Sequence, residues 1–137
     1  MLSDAAGRQH FLDGSIGRKD WRAFFAASGD DPLLEDVHRL LSLLDASLAI
    51  VLLTARPTTV QEQTLAWLER YRVRWDLLVM RPERQYQPAV DFKGRMVAAL
   101  REAGLELAIA FEDDRRNVAM FRAADVPCVY IHSGYYE

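Results

Sequence analysis

One cysteine, Cys128, in 137 residues leaves no partner for an internal disulfide and fits a reducing, cytoplasmic setting. The longest apolar run, Leu48–Leu53, is six residues, far short of the roughly 20 that a membrane span needs. The opening MLSDAAGRQH lacks the charged and then apolar regions of a secretory leader. No Gly-rich phosphate loop ending in Gly-Lys-Ser/Thr occurs, so kinase activity is not expected of this chain. His10, His38 and His132 have no ligand-spaced partners, which argues against zinc. Lysine is scarce: Lys19 and Lys93 stand against fifteen arginines. Neither sign of charge dominates. With 17 basic and 20 acidic residues the formal charge is −3, too little to draw the whole chain to nucleic acid or membrane. The stretch Arg70–Arg84 is basic, but Glu69, Asp76 and Glu83 are interleaved with it, so it reads as a solvated face.

What is present is ordinary globular composition, half apolar and 27% charged. No repeat, low-complexity tract or long linker divides the chain, so residues 1–137 read as one domain. Residues 1–30 are irregular and cap-like, with a short amphipathic patch at Trp21–Ala27. From residue 31 helices and strands alternate. Asp31-Pro32 predicts a helix start, with Leu33, Val37, Leu40, Leu41 and Leu44 on one face. Leu48–Leu53 is apolar on both faces, as a buried parallel strand is. A helix capped by Thr58 or Thr59 follows, turning Val60, Thr64, Trp67, Leu68 and Tyr71 inward. Then come a strand at Leu77–Met80, the polar loop Arg81–Pro88 and a helix over Val90–Ala103 that stops at Gly104. A strand at Leu107–Phe111, a helix over Arg115–Ala124 and a last strand at Cys128–Ile131 complete the series. Four strands among helices predict an α/β three-layer sandwich around a thin, parallel, Rossmann-like sheet.

In such sheets ligands bind beyond the carboxyl ends of the strands. That rule gathers Thr54 and Arg56 after one strand, and Glu112, Asp113 and Asp114 after another. Lys93 shares the inward face of Met96, Val97 and Leu100, so its ammonium is expected near the same edge. Adjacent carboxylates repel unless they share a cation, and Mg²⁺ is typically held by one or two carboxylates plus phosphate oxygens. A hydroxyl, a lysine and an arginine opposite that ion would cradle a phosphoryl group. Each part also has a plainer reading: Thr54 ends a strand, the acidic run caps a helix, and Lys93 is a snorkelling surface lysine.

The ordered stretches Val51-Leu52-Leu53-Thr54-Ala55-Arg56-Pro57, Leu78–Pro82, Lys93, Phe111–Val118 and Met120–Cys128 resemble the haloacid dehalogenase (HAD) superfamily of phosphohydrolases. Within it, the resemblance is to the phosphatase domain of bacteriophage-type polynucleotide kinase/phosphatase, and it covers nearly the whole chain. It implies that Thr54 and Arg56 bind the phosphoryl group, with Arg8 as a further phosphate-binding arginine. Lys93 would stabilise an aspartyl-phosphate, Asp113 and Asp114 would position Mg²⁺, and Asp114 is also counted among the catalytic residues. The substrate implied is a phosphorylated small molecule or a nucleic-acid end, a 3′ end in particular. A kinase domain or another partner is implied as well.

The family's first motif, a strand ending Asp-x-Asp-Gly-Thr whose first Asp attacks phosphorus, does not occur in the sequence. Phe11-Leu12-Asp13-Gly14-Ser15 echoes it with Phe in place of the nucleophile, and reads as a turn. The central nucleophile strand is therefore expected to be missing, and the chain is expected to be inactive unless an upstream Asp-x-Asp-Gly-Thr strand is restored. The alternative is a non-catalytic phosphate- or nucleotide-binding remnant, or a module that docks to a partner.

Overall fold

The computed structural model describes residues 1–13 and 19–134, so Gly14 and Ser15 of the expected turn lie outside the described residues. The chain folds as two compact units, Leu2–Glu83 and Met1 with Arg84–Glu137. The architecture is α/β with parallel strands, and each unit holds one parallel pair.

In the first unit, β1 (Val51–Pro57) pairs with β2 (Leu77–Arg81) across the crossover helix α3 (Gln61–Arg70). Parallel strands need such a crossover, and the apolar stripe of α3 supplies the reason it packs down. Trp67, Leu68 and Val73 form the core, with Leu2, Leu33, Leu41, Leu52, Tyr71 and Leu78 against it. The segment before α1 (Trp21–Ala26) returns to this core, because Asp4 N donates to Pro32 O and Leu34 N donates to Leu2 O, both at 2.8 Å.

Several expectations shift here. β1 begins at Val51, because Ile50 N donates to the Asp76 carboxylate at 2.7 Å and Leu48 O is taken by Arg74 Nη2 at 3.0 Å. It then runs on through Thr54 and Arg56 rather than stopping before them. α2 (Glu35–Leu43) starts three residues beyond Pro32, and Asp31 is not its cap. None of its residues is fully buried, and Leu40 is exposed, so the apolar face expected inward is only partly covered. His38 is half-buried. Thr58 caps no helix; its hydroxyl accepts from Glu83 N at 3.2 Å.

In the second unit, β3 (Ala110–Glu112) pairs with β4 (Cys128–Tyr130), flanked by α4 (Ala89–Glu102) and α5 (Arg115–Ala123). Both strands are three residues long, shorter than the sequence pattern suggested. In β4, Cys128 and Tyr130 are half-buried and Val129 is exposed, while β3 ends in the buried Glu112. α4 ends as expected: Gly104 takes φ +92°, the left-handed region that glycine enters freely, and Leu105 N returns to Leu100 O at 3.1 Å. Phe92 is fully buried immediately before Lys93, which fixes the rotation of α4. Gly94 has no Cβ; one placed there would meet the Met120 side chain at 3.6 Å, so α5 packs closely at the turn carrying Lys93.

Candidate active site

The chemistry-bearing residues fall into two groups, one in each unit. In the first, the β1–β2 ladder runs in register to Thr54↔Met80, then resumes at Pro57↔Arg81. Ala55 and Arg56 thus sit in a bulge, a device that re-aims side chains at strand ends. Thr54 Oγ1 accepts from Arg56 N at 3.1 Å, which leaves the hydroxyl proton available to an anion. Arg56 Nη2 donates to Ser3 Oγ at 2.7 Å and to Asp31 Oδ2 at 3.2 Å. Arg8 grips the same carboxylate with Nε at 2.8 Å and Nη2 at 2.9 Å, gives Nη1 to Phe24 O at 3.0 Å, and lies 4.0 Å over the Phe24 ring.

Two guanidinium groups therefore share one buried carboxylate. Burial, and then the charge of Arg8, push Arg56 down to about 10 against the opposing pull of Asp31. A buried cluster with one positive charge in excess favours an added anion. Arg8, expected to touch phosphate, has its fork occupied by Asp31 and Phe24 O, and it bears on Arg56 through Asp31.

In the second unit, Lys93 Nζ donates to Glu112 Oε2 at 2.6 Å, while Glu112 Oε1 accepts from Asp113 N at 2.9 Å and Asp114 N at 3.2 Å. Asp114 Oδ1 caps α5 by accepting Arg116 N at 2.9 Å, and its Oδ2 receives Arg116 Nη2 at 2.7 Å. The terminal ammonium of Met1 lies 3.6 Å from Asp113 Oδ2. All three carboxylates are buried. Their protonation differs with their surroundings. For Glu112, burial acts upward, but the charge and hydrogen bonds of Lys93 and the adjacent backbone hold it below the usual carboxylate range. Asp114 is likewise lowered, by Arg116 against burial. Burial, with the Glu112 carboxylate beside it, pushes Asp113 up.

These opposite shifts give a pH prediction. Glu112 and Asp114 contribute stability that is present above the ordinary carboxylate pKa of about 4 and lost as pH falls through their depressed folded values. Asp113 acts the other way, its contribution being lost as pH rises through its raised folded value. Urea unfolding from pH 7 to 3 is therefore expected to show a rise in midpoint as Asp113 protonates, then a fall below about pH 4. In Asp113→Asn the rise disappears and the fall remains.

Among the described residues no group of three or more His, Cys, Asp or Glu side chains is placed to hold a metal. The donor set still suits a hard cation of the magnesium kind, which needs only one or two carboxylates from the protein. Asp113 meets that need best, since among the described residues its carboxylate accepts no hydrogen bond from a basic side chain, and a cation beside it would offset the burial and then the Glu112 repulsion that raise it.

The α/β architecture with parallel strands matches the HAD-like fold, the class of the phosphatase domain family that the chain matches. More narrowly, the chain belongs to the polynucleotide kinase PNKP phosphatase domain family, whose model matches residues 11–136. Two solved chains share the fold. One, from the structure of the Pnkp1/Rnl/Hen1 RNA repair complex, aligns with TM-score 0.75 and 22% identity over 82% of this chain and 37% of that one. Another, from a structure of the Pnkp1/Rnl/Hen1 complex, gives 0.74 and 20% over 88% and 41%. The chain thus spans about two fifths of these relatives. Comparison with curated proteins gives no match. No described helix is long and apolar enough to cross a membrane.

One residue of the site, Asp31, escapes sequence reasoning, and the role of another, Glu112, does so in part. Asp31 sits in an Asp-Pro pair that mimics a helix start, and its arginine partners are 23 and 25 residues away. Glu112 stands in an acidic run that reads as a cap; the usable signal is the scarcity of lysine, which makes Lys93 worth pairing with a buried acid.

Proposed function

We propose that this chain is the phosphoryl-handling part of an Mg²⁺-dependent phosphohydrolase that acts on nucleic-acid or nucleotide ends, 3′ ends in particular. The observation that carries the reading is the run of three buried carboxylates at the end of β3, with Lys93 on Glu112 at 2.6 Å, Arg116 on Asp114 at 2.7 Å and the Met1 ammonium 3.6 Å from Asp113. Asp113 holds Mg²⁺ with Asp114 beside it, and when bound the ion neutralises phosphoryl oxygens. In the other unit, Thr54 has a hydroxyl proton to offer a phosphoryl oxygen. Arg56 adds the surplus positive charge of the Arg8–Asp31–Arg56 cluster. Lys93, with one donor on Glu112 and two to spare, stabilises charge developing in transfer. One solved relative comes from an RNA repair complex, which favours a polynucleotide end over a free metabolite, and favours a protein partner.

The attacking carboxylate is not among these residues, since the sequence contains no Asp-x-Asp-Gly-Thr. The chain alone therefore binds without turnover, and a form extended upstream by a strand ending Asp-x-Asp-Gly-Thr hydrolyses phosphomonoesters. The same absence favours a second reading, a phosphate- or nucleotide-binding module that docks to a partner and never turns over. An aryl phosphate assay with Mg²⁺ separates the two. Activity only in the extended form supports the enzyme. Binding without turnover in both forms supports the module. Turnover by the chain as it stands contradicts the assigned roles.

A further inference from the structure

We infer that Glu112 is a positioning residue, a single carboxylate that sets both the lysine and the backbone of the acidic pair. The inference rests on the phosphohydrolase reading only for the task given to Lys93. Its two oxygens face different partners: Oε2 takes the Lys93 ammonium at 2.6 Å, and Oε1 takes the amides of Asp113 and Asp114 at 2.9 and 3.2 Å. Glu112 is 5% exposed, so water does not replace either partner. A carboxylate is the one side chain that accepts on both sides at this length. Glutamine has the shape but not the chemistry. With its oxygen toward the amides, its NH₂ meets an ammonium that can only donate; flipped, its NH₂ meets two backbone N–H groups. Either way one side is left unsatisfied. Aspartate keeps the charge but is one methylene short of spanning both. Glu112 therefore ties α4 to the β3–α5 turn within one unit, and fixes where the ammonium points relative to Asp113.

The sequence offers a clean test, because Lys93 and Lys19 are its only lysines and Lys19 is exposed. The full chain is treated with an amine-reactive ester at a fixed neutral pH, and modification of each lysine is followed by mass spectrometry. In the wild type, Lys93 is expected to react at least about tenfold more slowly than Lys19, as a charge-assisted hydrogen bond holds it. In Glu112→Gln, either Lys93 labelling rises about tenfold with Lys19 unchanged, or hydrogen exchange at the Asp113 and Asp114 amides quickens by a similar factor. Glu112→Asp restores one of the two readouts and not both. A folded Glu112→Gln protein with both readouts unchanged overturns the inference. If that variant does not fold, equal labelling of Lys93 and Lys19 in the wild type overturns it instead. Protection of Lys93 by inorganic phosphate with Mg²⁺ is a separate readout that tests the phosphohydrolase reading, so the two can fail independently.

Discussion

Asp113→Asn abolishes turnover of the extended protein while leaving its unfolding midpoint unchanged or higher. The two halves of that result have one cause. Asp113 is buried beside Glu112 and carries its negative charge at a cost, which is why its carboxyl is pushed up. Asparagine removes the repulsion and keeps the shape, so the fold gains or loses little. It also removes the charge that would hold Mg²⁺, and losing an electrostatic stabiliser of a transition state typically costs about 10²–10³ in rate. Such opposition between stability and activity is characteristic of functional carboxylates. Steady-state rates on an aryl phosphate, paired with urea melts, check both halves. Near-normal turnover, or a clear loss of stability, would count against Asp113 as the metal carboxylate.

Asp31→Ala is expected to have the largest effect on folding, about 3–5 kcal/mol of lost stability, because it strands two buried guanidinium groups on an empty site. Arg8 and Asp31 are 6% and 4% exposed, so solvent replaces neither partner. The carboxylate also stands where chain segments meet: Arg8 from the first turn of the chain, Arg56 from the β1 bulge, and Trp67 Nε1 on Asp31 O at 2.8 Å. Natural domains have only about 5–15 kcal/mol to lose. Asp31→Asn, which keeps one acceptor, should fall between wild type and alanine in urea midpoint. A midpoint for Asp31→Ala within error of wild type would show that the arginines find other partners.

How much of this was legible in the sequence depends on whether the deciding contact is local. The helix ending at Gly104 and the inward face Thr64, Trp67, Leu68 follow from periodicity and one glycine, and both stand. The start of β1 does not, because Leu48 and Ile50 spend ladder groups on Arg74 and Asp76, which are 26 residues away. The grouping of Thr54 with Arg56, and of Lys93 with Asp113 and Asp114, was legible, because strand carboxyl ends and the inward face of α4 follow from the alternating pattern, although β1 extends past Thr54 and Lys93 lies within α4. What each touches was not. Asp31 looks like a cap until two distant arginines close on it, and Arg8 looks free for phosphate until the same carboxylate claims its fork. For Glu112 the edge was legible and the partner was not: only the folded chain shows that Lys93 pairs with Glu112 rather than with Asp113 or Asp114.

The central claim is that Lys93 and Asp113, within one unit, serve one phosphoryl group and the cation beside it. Titration calorimetry of inorganic phosphate into the chain, with and without Mg²⁺, measures this most directly. The account expects one-to-one binding that needs Mg²⁺, weakened about tenfold or more by Lys93→Met and by Asp113→Asn. Binding indifferent to Mg²⁺, or to either substitution in a folded variant, would contradict it.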